Sequence, residues 1–253
     1  MTFNVSADSY DGFMGRYSRP LAAQTADLAG VAAGQRVLDV GCGPGALTAE
    51  LVARLGPGAV AAVEPSEQFV AAARERLPGV AVTRAAAERL PFADAEFDAA
   101  LAQLVVHFMK DPPAGVREMR RVTRPGGVVA ACVWDHGGGR GPLSVYWQAV
   151  NELDPAAEDE SERTGSRGGD LAELLSGAGL DDVSETELQV DVVHATFEEW
   201  WAPFTTGVGP AGSYVAGLDP ERRTRLRERC RELYGEPPFT LTAIAWAARG
   251  VVP

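Results

Sequence analysis

VLDVGCGPG, residues 37–45, is the stretch whose reading decides the fold. Val37, Leu38 and Val40 make a short apolar run, Gly41, Gly43 and Gly45 follow, and Leu47, Leu51, Val52 and Leu55 then recur at helical spacing. The order is strand, glycine turn, helix. A Cβ in such a turn would keep the backbone from a ligand and resist positive φ, so a run of glycines there reads as a cradle for a bound molecule. Taken alone, Gly41, Gly43 and Ala46 also satisfy the dinucleotide pattern G-x-G-x-x-G/A, with Glu64 near the distance expected of a ribose-binding acid.

Outward from the loop, short apolar runs alternate with helical patterns, the signature of βαβ units around a parallel sheet. The first helix stops at Gly56 and Pro57, AVAAVEP (59–65) is a second strand, and Ser66 can cap a helix bearing Phe69, Ala73 and Leu77. AVTRAA (81–86) and FDAALAQL (97–104) supply strands three and four. Asp111 before Pro112 and Pro113 reads as a helix start, because proline suits the first helical position. GVVAACVW (127–134) is apolar enough for a strand covered on both faces. DLAELLSGAGL (170–180) reads as a further helix. Leu188, Val190 and Val192 alternate with polar neighbours as in a half-exposed edge strand, and FTLTAIAWAARG (239–250) reads as a seventh strand, antiparallel to it.

The predicted fold is therefore α/β: a Rossmann-like, doubly wound, seven-stranded, mostly parallel sheet with an antiparallel last strand and helical insertions. Residues 1–253 read as one domain, with a helical cap over 1–35, a core bearing the glycine loop over 36–135, and insertions over 136–168 and 196–238.

Bulk properties narrow the partners. The 253 residues carry a formal charge of −12 and are 46% hydrophobic and 23% charged. That is ordinary for a globular protein, and the negative charge opposes a nucleic-acid footprint, whose affinity comes mostly from neutralising phosphates. Lys110 is the only lysine, and the arginines of 222–231 are interspersed with glutamates, as on a solvated helix face. Cys42, Cys132 and Cys230 are an odd number without metal-like spacing, which suits reduced thiols in a cytoplasmic protein. The first residues lack the basic start and apolar run of a signal peptide, and no apolar stretch reaches the roughly 20 residues of a spanning helix.

Two ligands compete for the loop. A carboxylate just ahead of it, Asp39, would repel a pyrophosphate and attract an ammonium or sulfonium. With Asp39, Gly41, Gly43 and Gly45 in place, the sequence resembles the class I S-adenosylmethionine-dependent methyltransferases, whose opening motif is an acid, one residue, then G-x-G-x-G. Glu64 resembles the family's acid that accepts both ribose hydroxyls, with Pro65 after it. RAAAERLPFADAEFD (84–98) resembles the family's third landmark. The resemblance implies that Ala87 and Glu88 meet the adenine edge, while Ala86 stands where an aspartate is common, so that side-chain contact is missing. Gln103 corresponds to the position beside the methionine end of the cofactor, and Cys42 lies within the loop. RPGG (124–127) completes the match. YDGFMGRYSRPLA (10–22) resembles a segment of small-molecule members that act on quinone precursors and secondary metabolites, which implies that Arg16 or Tyr17 closes over the cofactor carboxylate.

The activity so implied is in-line transfer of a methyl group from S-adenosylmethionine to O, N or C of a small apolar or aromatic molecule. Two alternatives stay open: a nicotinamide-dependent oxidoreductase or epimerase, which lacks a Tyr-x-x-x-Lys pair here, and a module that binds the cofactor without turnover. His107, just after strand four, is either a general base or a polar residue lining the pocket. The histidines at 107, 136 and 194 are scattered, and no metal site follows from their spacing. Asp111-Pro-Pro resembles the D-P-P-Y motif of base-modifying amino-methylases, but Ala114 replaces the stacking aromatic. Trp200, Trp201 and Phe204 suit either an apolar lid or a core-facing stripe.

Overall fold

A computed structural model describes residues 7–253. The predicted strand–turn–helix is β1 (Val37–Val40) followed by α3 (Ala46–Leu55), preceded by α1 (Ala7–Tyr10) and α2 (Arg16–Leu28). Then come β2 (Val60–Glu64), α4 (Glu67–Arg76), β3 (Ala81–Arg84), β4 (Phe97–Gln103), α5 (Pro112–Val122) and β5 (Thr123–Trp134). The chain continues through α6 (Ser144–Leu153), α7 (Asp170–Gly177), β6 (Asp181–His194), α8 (Phe197–Trp201), α9 (Gly209–Gly217), α10 (Pro220–Tyr234) and β7 (Phe239–Val251).

The boundaries have local causes. Gly56 ends α3 at φ +83°, its N–H donating to Val52 O. Ser66 caps α4 and Asp111 caps α5, each side chain accepting the N–H three residues on. Every residue of β1 and β2 is buried, because helices cover both faces of the sheet.

The sheet order is β3-β2-β1-β4-β5-β7-β6. Strands β1 to β5 pair in parallel, and β7 runs antiparallel to both neighbours, β5 and β6. The last strand in sequence is thus interior, and the exposed edge falls to β6, where Val193 is 64% exposed. From β1 the chain winds outward to β2 and β3 and then crosses to β4, so the order reverses between β1 and β4. Open α/β sheets bind ligands at such a reversal, beyond the carboxyl ends of the strands.

The two predicted insertions pack on each other and on the N-terminal helices. Tyr146 of α6 stacks on Phe204 with ring centroids 4.5 Å apart, and Phe13 meets Phe204 edge-on at 5.1 Å. Trp200, Trp201 and Phe204 are buried to within a few per cent, so they form a core stripe rather than a lid. The arginines of α10 are tied to acids: Arg227 and Arg231 to Glu198, Arg229 to Glu152. Arg231 also lies 4.8 Å over the Phe197 ring. No helix among the described residues is long and apolar enough to cross a membrane.

Between α1 and α2 the chain makes a π-helical turn, Asp11–Gly15, for which no signal was read in the sequence. Asp11 Oδ2 accepts from Arg19 and from Arg76 of α4, at 3.2 and 2.6 Å, which holds the turn beside the sheet reversal.

Candidate functional site

A cleft of about 290 Å³ opens at the carboxyl ends of β1, β2 and β4. Nine predicted residues line it: Asp39, Gly41, Cys42, Gly43, Glu64, Pro65, Ala87, Glu88 and Gln103. Gly45 shapes it from behind, at φ +100°, where a Cβ would lie 2.7 Å from Leu77 Cδ1. Gly41 is more constrained still, since at φ +74° its Cβ would meet Val105 Cγ1 at 2.5 Å. A Cβ on Gly43 would meet nothing within 4 Å, so only its φ of +53° asks for glycine there.

The loop's hydrogen bonds decide what it can hold. The N–H groups of Gly41 and Cys42 donate to Val63 O at 2.8 and 3.0 Å, and that of Gly45 donates to Cys42 O at 2.9 Å. Gly43 N–H donates to Glu64 Oε2 at 3.0 Å, while Ser66 N–H donates to Glu64 Oε1 at 2.8 Å. Four donors that a pyrophosphate would need are already spent, and two carboxylates stand beside them. Each Glu64 oxygen keeps a second lone pair, enough for a vicinal diol. Burial raises the Glu64 pKa, and its two backbone donors pull it back.

Acceptors dominate the other end. Asp39 is buried, and Thr48 Oγ1 donates to its Oδ2 at 2.6 Å. Burial pushes the Asp39 pKa up to about 7; the Thr48 bond opposes this and the neighbouring Glu64 adds to it. Gln103 Nε2 donates to Ser18 O at 2.9 Å, which fixes the amide orientation and leaves Oε1 as a buried acceptor without a partner. Ser18 Oγ, also lining the cleft, is likewise buried and unpartnered. A carboxyl and two orphaned oxygens suit an ammonium group, which offers three donors and one positive charge.

Glu88 serves the wall: its Oε1 accepts the N–H groups of Lys110 and Asp111 at 2.7 and 3.2 Å, pinning the turn after β4 across the cleft. That turn contributes Phe108, Met109 and Lys110, while Tyr10 and Ser18 come from the N-terminal helices. Sequence reasoning missed these five, because nothing in their spacing shows that both segments fold over the glycine loop. Leu104 lines the cleft at φ +60°, a conformation non-glycine residues rarely take, and one that clusters at functional sites.

Arg16 and Tyr17 are a correction. Neither lines the cleft; Arg16 Nη1 and Tyr17 Oη bind the two ring nitrogens of His194, each at 2.9 Å, and Arg16 also pairs with Glu199 at 3.0 Å. The π turn offsets the helix so that Tyr10 and Ser18 meet the cleft while Arg16 and Tyr17 bind β6. His107 does not line the cleft either. It faces an adjoining cavity of about 40 Å³, whose wall of Tyr10, Leu104 and Phe108 is common to both spaces. Burial, His136 and Arg163 all hold its imidazole well below the ordinary pKa, which makes it a weak base. Folding also brings together three residues that their sequence spacing does not group, His107, His136 and Glu160, with one potential ligand atom from each within 4.8 Å of the others.

Against this geometry, residues 38–131 match a family model described as a methyltransferase domain. That stretch, from β1 to β5, is the part of the chain that resembles methyltransferases. It is 37% identical over 120 residues to a malonyl-[acyl-carrier protein] O-methyltransferase of Erwinia pyrifoliae, covering 47% of this chain and 45% of that protein. It is 41% identical over 108 residues to a demethylmenaquinone methyltransferase of Mycolicibacterium paratuberculosis, covering 43% of this chain and 45% of the relative. These matches span about half the length of the curated relatives. A Haemonchus contortus phosphoethanolamine N-methyltransferase 2, solved with phosphomonomethylethanolamine and S-adenosylhomocysteine, superposes with a TM-score of 0.61 at 17% identity, over 98% of this chain and 57% of that one. That last likeness is one of fold.

Proposed function

We propose that the chain transfers a methyl group from S-adenosylmethionine to a small-molecule acceptor. One observation carries the reading: the glycine loop's N–H groups are spent internally, and the space before it is lined by the Asp39 carboxyl, Gln103 Oε1 and Ser18 Oγ. That corner matches the ammonium end of an amino acid and mismatches a diphosphate, which also counts against the dinucleotide alternative. Glu64 would take the ribose hydroxyls. Glu88 holds the wall beside Ala87, where an adenine would lie.

Bound in this cleft, S-adenosylmethionine supplies a methyl group on a sulfonium, which leaves as a neutral thioether without a proton donor. The residues of the chain then have to align and to exclude water. Holding acceptor and methyl at about 3 Å in line contributes on the order of 7–11 kcal/mol. Tyr10, Leu104 and Phe108, lying between the cleft and the smaller cavity, would serve that alignment. The cap of N-terminal helices and insertions would close the acceptor side. The names of the relatives, one acting on a carrier-bound malonyl group and one on a demethylated menaquinone, support an acceptor of metabolite size.

Calorimetric titration tests the reading. Micromolar binding of S-adenosylmethionine is expected, with no heat from NADH. Binding of NADH without binding of S-adenosylmethionine would overturn it.

A further inference from the structure

Strands β4 and β5 are parallel neighbours, so residues a few places past their carboxyl ends are brought side by side. His107 follows β4 and His136 follows β5, with ring centroids 5.8 Å apart. Glu160, from the segment between α6 and α7, completes the group, and the three lie within one cavity wall. His107 is 8% exposed and Glu160 3%. Even so, His107 Nδ1 is buried without a hydrogen-bond partner, and Glu160 Oε2 has none of good geometry, although the Trp147 indole N–H approaches its carboxylate. Buried polar atoms nearly always find partners, so an orphaned imidazole nitrogen and a poorly paired carboxylate from residues on the wall of one small space point to a missing occupant.

We propose that His107, His136 and Glu160 form a binding site for a divalent late first-row metal ion, with Zn²⁺ as its ligand of choice. Two imidazole nitrogens and one carboxylate oxygen are the donor set of zinc sites that keep coordination positions open. A cavity of about 40 Å³ has room for an ion and a water but for no organic cofactor. Asp135 and Asp159 also lie near His136, the first already paired with Arg140. Arg163 opposes a cation, but its guanidinium is turned onto the Phe108 ring at 5.4 Å and toward His107 O at 3.3 Å.

Donors about 2.1 Å from a tetrahedral ion sit roughly 3.4 Å apart. The present separations of up to 4.8 Å therefore close by side-chain rotation when the ion enters. The open coordination positions would face the cavity that shares Tyr10, Leu104 and Phe108 with the cleft. The site stands on these three side chains and does not rest on the methyl-transfer reading.

The test uses the full chain stripped with a chelator, loaded with Zn²⁺ and desalted, with bound metal counted by mass spectrometry. One equivalent per chain is expected in the wild type, with affinity lowered at least tenfold in His136→Ala and Glu160→Gln, whose folding is checked by circular dichroism. Co²⁺ gives a readout that needs no variant: intense visible bands of a four- or five-coordinate ion are expected. Sub-stoichiometric uptake by the wild type, uptake unchanged in both variants, or a Co²⁺ spectrum like that of the aqueous ion would each overturn the proposal. Titration of the same samples with S-adenosylmethionine separates this outcome from failure of the methyl-donor reading.

Discussion

Asp39 shows how one residue couples fold and ligand. Its carboxyl sits at the end of a fully buried strand, and desolvation raises its pKa to about 7. An unfolded aspartate ionises near 4, so this group costs the folded chain stability as pH rises from about 4 toward 7. A cation in the cleft reverses the shift by favouring the charged form. S-adenosylmethionine binding at pH 6 is therefore expected to release close to one proton. Titrations in buffers of different ionisation enthalpy measure that release directly, and Asp39→Asn should abolish it while weakening binding roughly tenfold or more, the loss of a charged hydrogen bond. Identical heats in all buffers would show that Asp39 does not meet the ligand's charge.

At the scale of elements, the glycine turn and the helix–strand latch behave differently under substitution. Gly41→Ala combines left-handed strain with a clash against Val105, whereas Gly43→Ala meets open space. The first is expected to cost about 2–4 kcal/mol and the second about 1 kcal/mol, by urea denaturation. Equal losses would mean that φ alone rules the turn. The latch is His194, where β6 meets α2. Arginine can only donate, so His194 Nδ1 accepts from Arg16 and the Nε2–H faces Tyr17. Burial and then Arg16 lower this histidine to about 4, against the pull of Glu199. Unfolded, it takes a proton near 6.5, so its contribution is complete above that pH and is lost as pH falls from about 6.5 to about 4. In His194→Gln the decline in stability between pH 7 and 5 should be shallower than in the wild type. Parallel slopes would rule out the latch.

At the scale of the molecule, legibility in the sequence followed locality. The glycine loop, the caps at Ser66 and Asp111 and the strand runs are spelled in neighbouring residues, and so were Asp39, Glu64 and Gln103. The places of Tyr10 and Ser18 were not: the resemblance pointed to Arg16 and Tyr17, and the π turn between Tyr10 and Ser18 has no signal in neighbouring residues. The His107–His136–Glu160 group was illegible for another reason: its members meet only because β4 and β5 are adjacent, a fact of sheet order. The edge position of β6 was legible in the alternation of Leu188, Val190 and Val192, whereas the insertion of β7 between β5 and β6 is a fact of sheet order.

Tyr10, Leu104 and Phe108 each present surface to both cavities. Neither chamber can therefore be resized independently, as two rooms divided by a single partition cannot. The smaller space has room for little more than water until that partition shifts. A donor seated in the cleft is expected to set its position, so steady-state kinetics should show compulsory order, donor before acceptor, with S-adenosylhomocysteine competing against the donor alone. Random-order patterns would mean that the partition moves freely.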